Sequence, residues 1–482
     1  MSLITGLISI ALPWIAASMV LRQLWPDSSS GRSPLVLGYG YVLGLSIAAS
    51  LLGLQARLGL GFSGLPLLIM FALVIIVMIS KRESLSFLEA GSIKAWFRAD
   101  SEGSRVTVWA TFAILGLLAI RFLSIGYETF DQGLYGWDAF TTWAYRARVW
   151  IESDQMLQPV TPEAWLAERD PTLIALPASH YPALASLIMA WPASVLGGWS
   201  EKAVLMPWIF LYPALGLGLY GQCRLWGATK LECLVFVWFL LSLPLVGSQI
   251  AIAGYADLWL ASTIGFAFMA FVQWLRTRDR AQGLLAVLLV LISVFIKAEG
   301  VVWAALFVPP LLMTRLSARG WSVLAVFAAI ALVALGVSGG VTVDLPALGR
   351  LELSLERVYS TMTGEFVFSG QPGVLRPLMI HFFVFDTWHL LMAVIFFVFV
   401  WQIVELMMEN RHSAAWPLWR RAALVWVVSI FGGYYLLFFW TFAAEWVRLG
   451  TSVNRIVLHF APGLIFWLQC LWVSRRENVA SC

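Results

Sequence analysis

Apolar runs of about 20 residues, enough to cross a hydrocarbon core of about 30 Å, recur along the whole chain. They predict spans near 3–23, 35–56, 64–80, 106–126, 203–222, 231–249, 258–275, 282–296, 300–314, 320–337, 388–408, 421–441 and 456–473. Only helices or closed barrels satisfy the backbone in lipid. The expected fold class is therefore all-α and polytopic, with about 13 transmembrane helices. A further apolar stretch, 181–197, starts at Tyr181-Pro182, carries Pro192 and ends at Gly197-Gly198, and reads as an interfacial helix.

Two long stretches, 127–201 and 338–387, break this pattern. In the first, Phe140, Trp143, Ala144, Ala147 and Trp150 recur at helical spacing, with Arg146 and Arg148 on other faces. That spacing predicts an amphipathic helix on the membrane surface. Thr161-Pro162-Glu163-Ala164 reads as an N-cap with proline at the first position of a second short helix. The second stretch predicts a helix over 351–363 and a turn at Ser369-Gly370-Gln371-Pro372-Gly373. It serves either as a mobile lid or as a plain linker.

Composition fits this reading. Charged residues make up 12% and mean hydropathy is +0.83, whereas soluble domains carry roughly 25% charged residues. The 26 Trp and 31 Phe suit aromatic belts at both interfaces. Cys223, Cys233, Cys470 and Cys482 show no paired or metal-site spacing. The first apolar stretch lacks a basic leader and a cleavage site, and reads as a retained span.

Charge distribution sets the topology. With 181–197 kept at the interface, Lys81, Arg82, Lys94, Arg98, Arg105, Arg224, Lys230, Arg276, Arg278, Arg280, Arg315, Arg319, Arg411, Arg420, Arg421, Arg475 and Arg476 share one side. Basic loops mark the cytoplasmic side, so the N-terminus is expected outside, the C-terminus inside, and both long loops outside. Four regions follow: a three-span extension over 1–105 with a cytoplasmic loop, and a membrane core over 106–337 that includes loop 127–201. The second outer loop, 338–387, and the C-terminal spans and short tail, 388–482, complete the chain.

Charged groups at membrane depth are costly and point to function. Asp257 follows Gly254-Tyr255-Ala256, Lys297 and Glu299 sit in a tight hairpin, and Glu445, Arg448, Arg455 and His459 cluster near the last span. Each has a structural alternative: Asp257 as a helix cap, Lys297 and Glu299 as helix ends, Arg455 paired with Glu445, Arg121 snorkelling from its span. Asp138 can likewise cap its own helix.

Several segments together resemble membrane glycosyltransferases of the GT-C superfamily, which use polyprenyl-phosphate sugars and include the protein mannosyltransferases and the lipid A aminoarabinose transferase. They are Gly136-Trp137-Asp138-Ala139 with Trp143 and Arg146, His180-Tyr181-Pro182-Ala183-Leu184, Gly254-Tyr255-Ala256-Asp257, Lys297-Ala298-Glu299-Gly300, and Thr451-Ser452-Val453-Asn454-Arg455 with His459. The resemblance runs from about residue 106 to the C-terminus. It departs in the three preceding spans and in lacking the mannosyltransferases' Asp-Glu pair.

The resemblance implies a glycosyltransferase of the bacterial cytoplasmic (inner) membrane, acting on its outer face. Asp138 would be the base, with Lys297, Arg448, Arg455 and Arg146 on the donor phosphate. Trp137, Trp143, His180, Tyr181, Asp257, Glu299 and His459 would bind substrate. The donor would be a polyprenyl-phosphate sugar lying between spans; the acceptor, whether glycan, lipid or protein, stays open, and no nucleic-acid partner is expected. The second outer loop resembles the one that covers the acceptor in that superfamily. No nucleotide-binding glycine loop is present. Metal use is open: Glu128, Asp131, Asp138 and Asp257 could hold Mg2+ or Mn2+, whereas His180, His381, His389, His412 and His459 show no ligand spacing. Two other classes compete: a lipid or sugar transporter or flippase, and a non-catalytic subunit of a membrane complex.

Overall fold

The computed structural model describes residues 2–25, 31–80, 105–168, 170–345, 349–361, 364–409 and 416–480. Lys81, Arg82, Lys94, Arg98, Arg411, His412 and Cys482 lie outside the described residues. The described fold is helical with two small sheets. Among the described residues seven helices are long and apolar enough to cross a membrane: Leu3–Leu24, Arg32–Arg57, Arg105–Gln132, Glu201–Trp226, Asp257–Thr277, Leu391–Met408 and Leu418–Trp440. An eighth candidate is the pair Lys230–Leu241 and Pro244–Ala251, bent by 61° at the break. The protein is thus a multi-pass helical membrane protein.

Most of the other predicted spans are shorter apolar helices, Leu65–Ile79, Arg280–Ile296, Glu299–Met313 and Ser322–Ser338. The last helix, Ala461–Ala480, ends in Arg475, Arg476 and Glu477. Thirteen crossings is a finer reading, resting on the sequence.

The 61° bend has a chemical cause. Pro244 begins the second half and lacks an N–H, so carbonyls near the break lose helical donors. Arg121 helps to supply them: its Nε donates to Leu241 O at 2.9 Å, with Tyr212 Oη at 3.3 Å, and its Nη2 adds to Gly247 N on Leu243 O at 3.3 Å. Arg121 therefore does not snorkel to the surface; it satisfies backbone that lipid cannot.

The core forms around the Asp257–Thr277 helix, which is buried on nearly every face. Close helix approach supports it. A Cβ on Gly38 would lie 2.3 Å from the Gly218 backbone nitrogen, so only glycine lets these helices meet. Beside this contact Tyr39 stacks on Phe266 at 4.3 Å and donates to its carbonyl.

Side-chain ties sort the helix ends. Trp25 donates to Asp279, Arg276 to the Trp226 carbonyl and Arg476 to Glu232, while Arg475 lies over Trp401. These residues share one end of the bundle. Asp257 opens the helix that Arg276 closes, about 30 Å away at 1.5 Å per residue, so the acidic loop stands at the opposite end.

Stretch 181–197 forms a helix, Leu184–Leu196, buried from Leu184 to Ser194. At 13 residues it is about 20 Å long, too short to span. Trp191 donates to Ser9 O, Leu187 lies against Gly53, and Gly64 donates to Ser194 O. It is therefore packed among neighbouring helices.

The expected helix over 351–363 is overturned. Val341–Leu345, Gly349–Leu353, Arg357–Ser360 and Gly364–Val367 make a four-stranded antiparallel meander. Leu351, Glu352 and Leu353 alternate with a period of two, which belongs to a strand. Arg357 bridges Glu352 and Glu365 across three strands. The sheet meets the end of Leu418–Trp440 through Ser369 N to Trp440 O and a stacked Phe366–Phe442 pair.

Candidate functional site

The first outer loop starts with a π-helical segment, Ala139–Ala144, that runs into the helix Tyr145–Ser153. A π-turn holds extra residues, so the following side chains rotate away from the simple helical projection. Phe140 is exposed and Arg146 buried, the reverse of the expected faces. Arg146 donates to Ser186 Oγ (3.0 Å), Tyr181 O (2.8 Å) and Pro182 O (2.5 Å). It lies between the rings of Trp143 and Trp150. These partners make Arg146 a clamp on the Tyr181-Pro182 corner. The second loop helix forms as expected, Pro162–Glu168, with Thr161 Oγ1 accepting from Ala164 N at 3.3 Å.

Beneath that corner, two distant segments, carrying Lys297 and Arg455 with His459, meet on Asp257, which is fully buried. Lys297 Nζ donates to Oδ1 at 2.9 Å, and His459 Nε2 lies 3.0 Å from the same oxygen. Arg455 donates to Oδ2 through Nε (2.9 Å) and Nη2 (2.7 Å). Although Asp257 opens its helix, its carboxylate makes no capping bond. Arg455 reaches outward as well: its Nη1 lies 2.6 Å from Asp138 Oδ2, and its guanidinium sits over the Tyr255 ring. The Asp138 side chain is 36% exposed. Arg455 thus joins a buried carboxylate to a surface one, rather than pairing with Glu445.

Lys297 also pairs with Glu299 at 2.9 Å. The other Glu299 oxygen, Oε2, is buried and has no hydrogen-bond partner. Trp303, which sequence reasoning missed, donates from Nε1 to His459 Nδ1 at 2.9 Å. An indole N–H can only donate, so Nδ1 accepts and Nε2 carries the proton toward Asp257. His459 is then neutral. Trp303 was legible only as the residue one turn after Glu299 on their shared helix, Glu299–Ala305.

Charge follows from these pairings. Asp138, Asp257 and Glu299 face Lys297 and Arg455, three anions against two cations with His459 neutral. Tyr181 covers the cluster, its ring centroid 5.8 Å from Lys297 Nζ. Burial raises its phenol well above the ordinary value, so the ring meets the ammonium as a neutral aromatic.

The remaining candidates separate. Trp143 is buried with its face stacked on Tyr181 at 5.1 Å, and is not open to a sugar. Trp137 is 75% exposed. His180 is exposed and lies against Tyr181. Arg448 lies outside the cluster, bound to Glu445 and the Pro372 carbonyl. Among the described residues no group of three or more His, Cys, Asp or Glu could hold a metal ion. Of the carboxylates Glu128, Asp131, Asp138 and Asp257, the last two are joined by the Arg455 guanidinium standing between them.

Fold and site together define a multi-pass helical membrane protein with a buried ion cluster at one end of its bundle. Comparison of the chain with protein-family models, curated proteins and solved structures finds no match.

Proposed function

We propose that the chain is an integral membrane glycosyltransferase that moves a sugar from a polyprenyl-phosphate donor to an acceptor on the outer face. The carrying observation is the link from the partly exposed Asp138 through Arg455 to the buried Asp257. In this reading the acceptor hydroxyl attacks the anomeric carbon, Asp138 takes its proton, and the bond to the phosphate oxygen breaks. The electron pair leaves with the lipid phosphate. Because the cluster already holds an excess anion, that phosphate exchanges against Asp138 for Arg455 rather than adding to it. The exchange frees Asp138 as the base. The unpartnered Glu299 Oε2 is an acceptor suited to a sugar hydroxyl.

A place for the donor chain supports the reading. An apolar groove of about 820 Å3 runs along Phe239, Leu391, Val394, Leu468 and Trp472 and reaches Trp388. Trp388 donates to Asn454, the neighbour of Arg455. A prenyl chain in this groove would leave its phosphate near the cluster. Thirteen spans, the cytoplasmic membrane, an outer N-terminus and an inner C-terminus belong to the same proposal.

The test is Asp138→Asn, assayed in membranes with polyprenyl-phosphate sugars. Loss of a general base costs about 10²–10⁴ in rate, with expression and melting temperature unchanged. Transfer at the wild-type rate would sink the proposal. A transporter is the second reading, favoured by the span broken at 61°, since transporters place sites at broken helices. Sugar-lipid flux in vesicles without any transfer would favour it.

A further inference from the structure

The N-terminal three-span segment takes part in an outer cavity that the transfer chemistry above leaves unused. This cavity, about 850 Å3, is bordered by Arg57, Asp154, Gln155, Gln158, Thr172 and Tyr181. Its walls come from chain segments about a hundred residues apart, tied by specific bonds. Asp154 accepts from Phe62 N at 2.6 Å, and Gln55 donates to the carbonyls of Gly61 and Ser63. Phe62 stacks on Trp150 at 5.9 Å. Gly61 has φ +72°, and a Cβ there would meet the Asp154 carboxylate at 2.6 Å, so the close approach requires glycine. The cavity is thus fixed in shape before any ligand arrives.

Its chemistry selects a ligand class. Arg57 and Arg146, the carboxylate of Asp154, the amides of Gln155 and Gln158 and the hydroxyl of Thr172 offer both donors and acceptors. Two cations face one anion, since the partners of Arg146 (Ser186 Oγ and the Tyr181 and Pro182 carbonyls) are neutral. Beside them lie the rings of Trp150 and Tyr181 and the apolar side chains of Met156, Leu157 and Pro159. Polar groups set among aromatic faces suit a sugar, and the surplus positive charge favours one that carries acidic groups. Tyr181 stands between this cavity and Lys297. We infer that the cavity binds a hydroxyl-rich oligosaccharide and, resting on the transferase reading, that it holds the acceptor, with the N-terminal segment supplying one wall. None of its lining comes from the second outer loop, which resemblance alone would have placed over the acceptor.

The experiment applies purified full-length protein in nanodiscs to an array of immobilised oligosaccharides covering neutral, acidic and amino sugars. Wild-type protein is expected to bind at least one class. Gln155→Trp, which fills the mouth, and Arg57→Ala, an exposed truncation, should each weaken binding about tenfold at unchanged melting temperature. Absence of wild-type binding overturns the inference, as does binding unaltered in Arg57→Ala and in folded Gln155→Trp. Oligosaccharide binding by a protein that transfers no sugar overturns the transferase reading while leaving the cavity assignment standing.

Discussion

Replacing Asp257 with asparagine tests whether one buried carboxylate holds the outer end of the bundle together. The carboxylate accepts from Lys297, His459 and Arg455 at 2.7–3.0 Å, on residues from two other segments. Asparagine keeps the size but removes the charge, and its NH2 group faces only donors whichever way it turns. Lys297 and Arg455, with side chains 5% and 16% exposed, then retain only Glu299 and Asp138. Removing one partner of a buried pair costs about 3–5 kcal/mol, a large share of the roughly 5–15 kcal/mol that stabilises a typical fold. The assay is equilibrium unfolding of the full chain in mixed micelles. Asp257→Asn combined with Lys297→Met removes one orphaned cation, so the pair should cost less than the two singles summed, by roughly 1–3 kcal/mol. A single-variant cost below about 1 kcal/mol, or strict additivity, would refute the argument.

Three further substitutions probe separate joints. Arg121→Met removes one of two donors from the carbonyls of Leu241 and Leu243, which keep Tyr212 Oη and Gly247 N; a loss of about 0.5–1.5 kcal/mol is expected in the same unfolding assay, with partial rescue by Arg121→Lys. Trp303→Phe keeps the ring but removes the bond to His459, for about 0.5–1.5 kcal/mol; an unchanged stability would show that the indole does not hold the imidazole. Arg146→Lys keeps a cation but not the three-way fork. Proteolysis around Tyr181-Pro182 should therefore quicken, and protection equal to wild type would remove the clamp from the account.

What the sequence disclosed depended on whether the physics was local. Asp257, Lys297, Glu299, Arg455 and His459 stood out because polar groups beside apolar runs are costly, Asp138 and Tyr181 through the resemblance, and all seven meet in one network; Glu445 and Arg448, marked by the same cost, pair with each other outside it. Their pairing was hidden, since nothing near Arg455 indicates that it serves two carboxylates about 200 and 300 residues away. Arg146 was misplaced for a geometric reason: a helical projection assumes 3.6 residues per turn, and the π-segment before it breaks that assumption. Around 351–363 the alternation of Leu351 and Leu353 signalled strand, but it is short and one of its two partner strands, Val341–Leu345, lies outside that window. Arg121 looked like a snorkelling residue because the break it repairs lies 120 residues onward. These misreadings share one cause: a side chain's energetic need is visible in sequence, whereas the backbone or charge that meets it comes from elsewhere in the chain. The same logic bears on the site. Asp257 is enclosed and its donors are matched, so it suits a fixed anchor. Asp138, a third exposed and held by a single arginine, is the carboxylate free to change partners, and so the one on which the chemistry should depend.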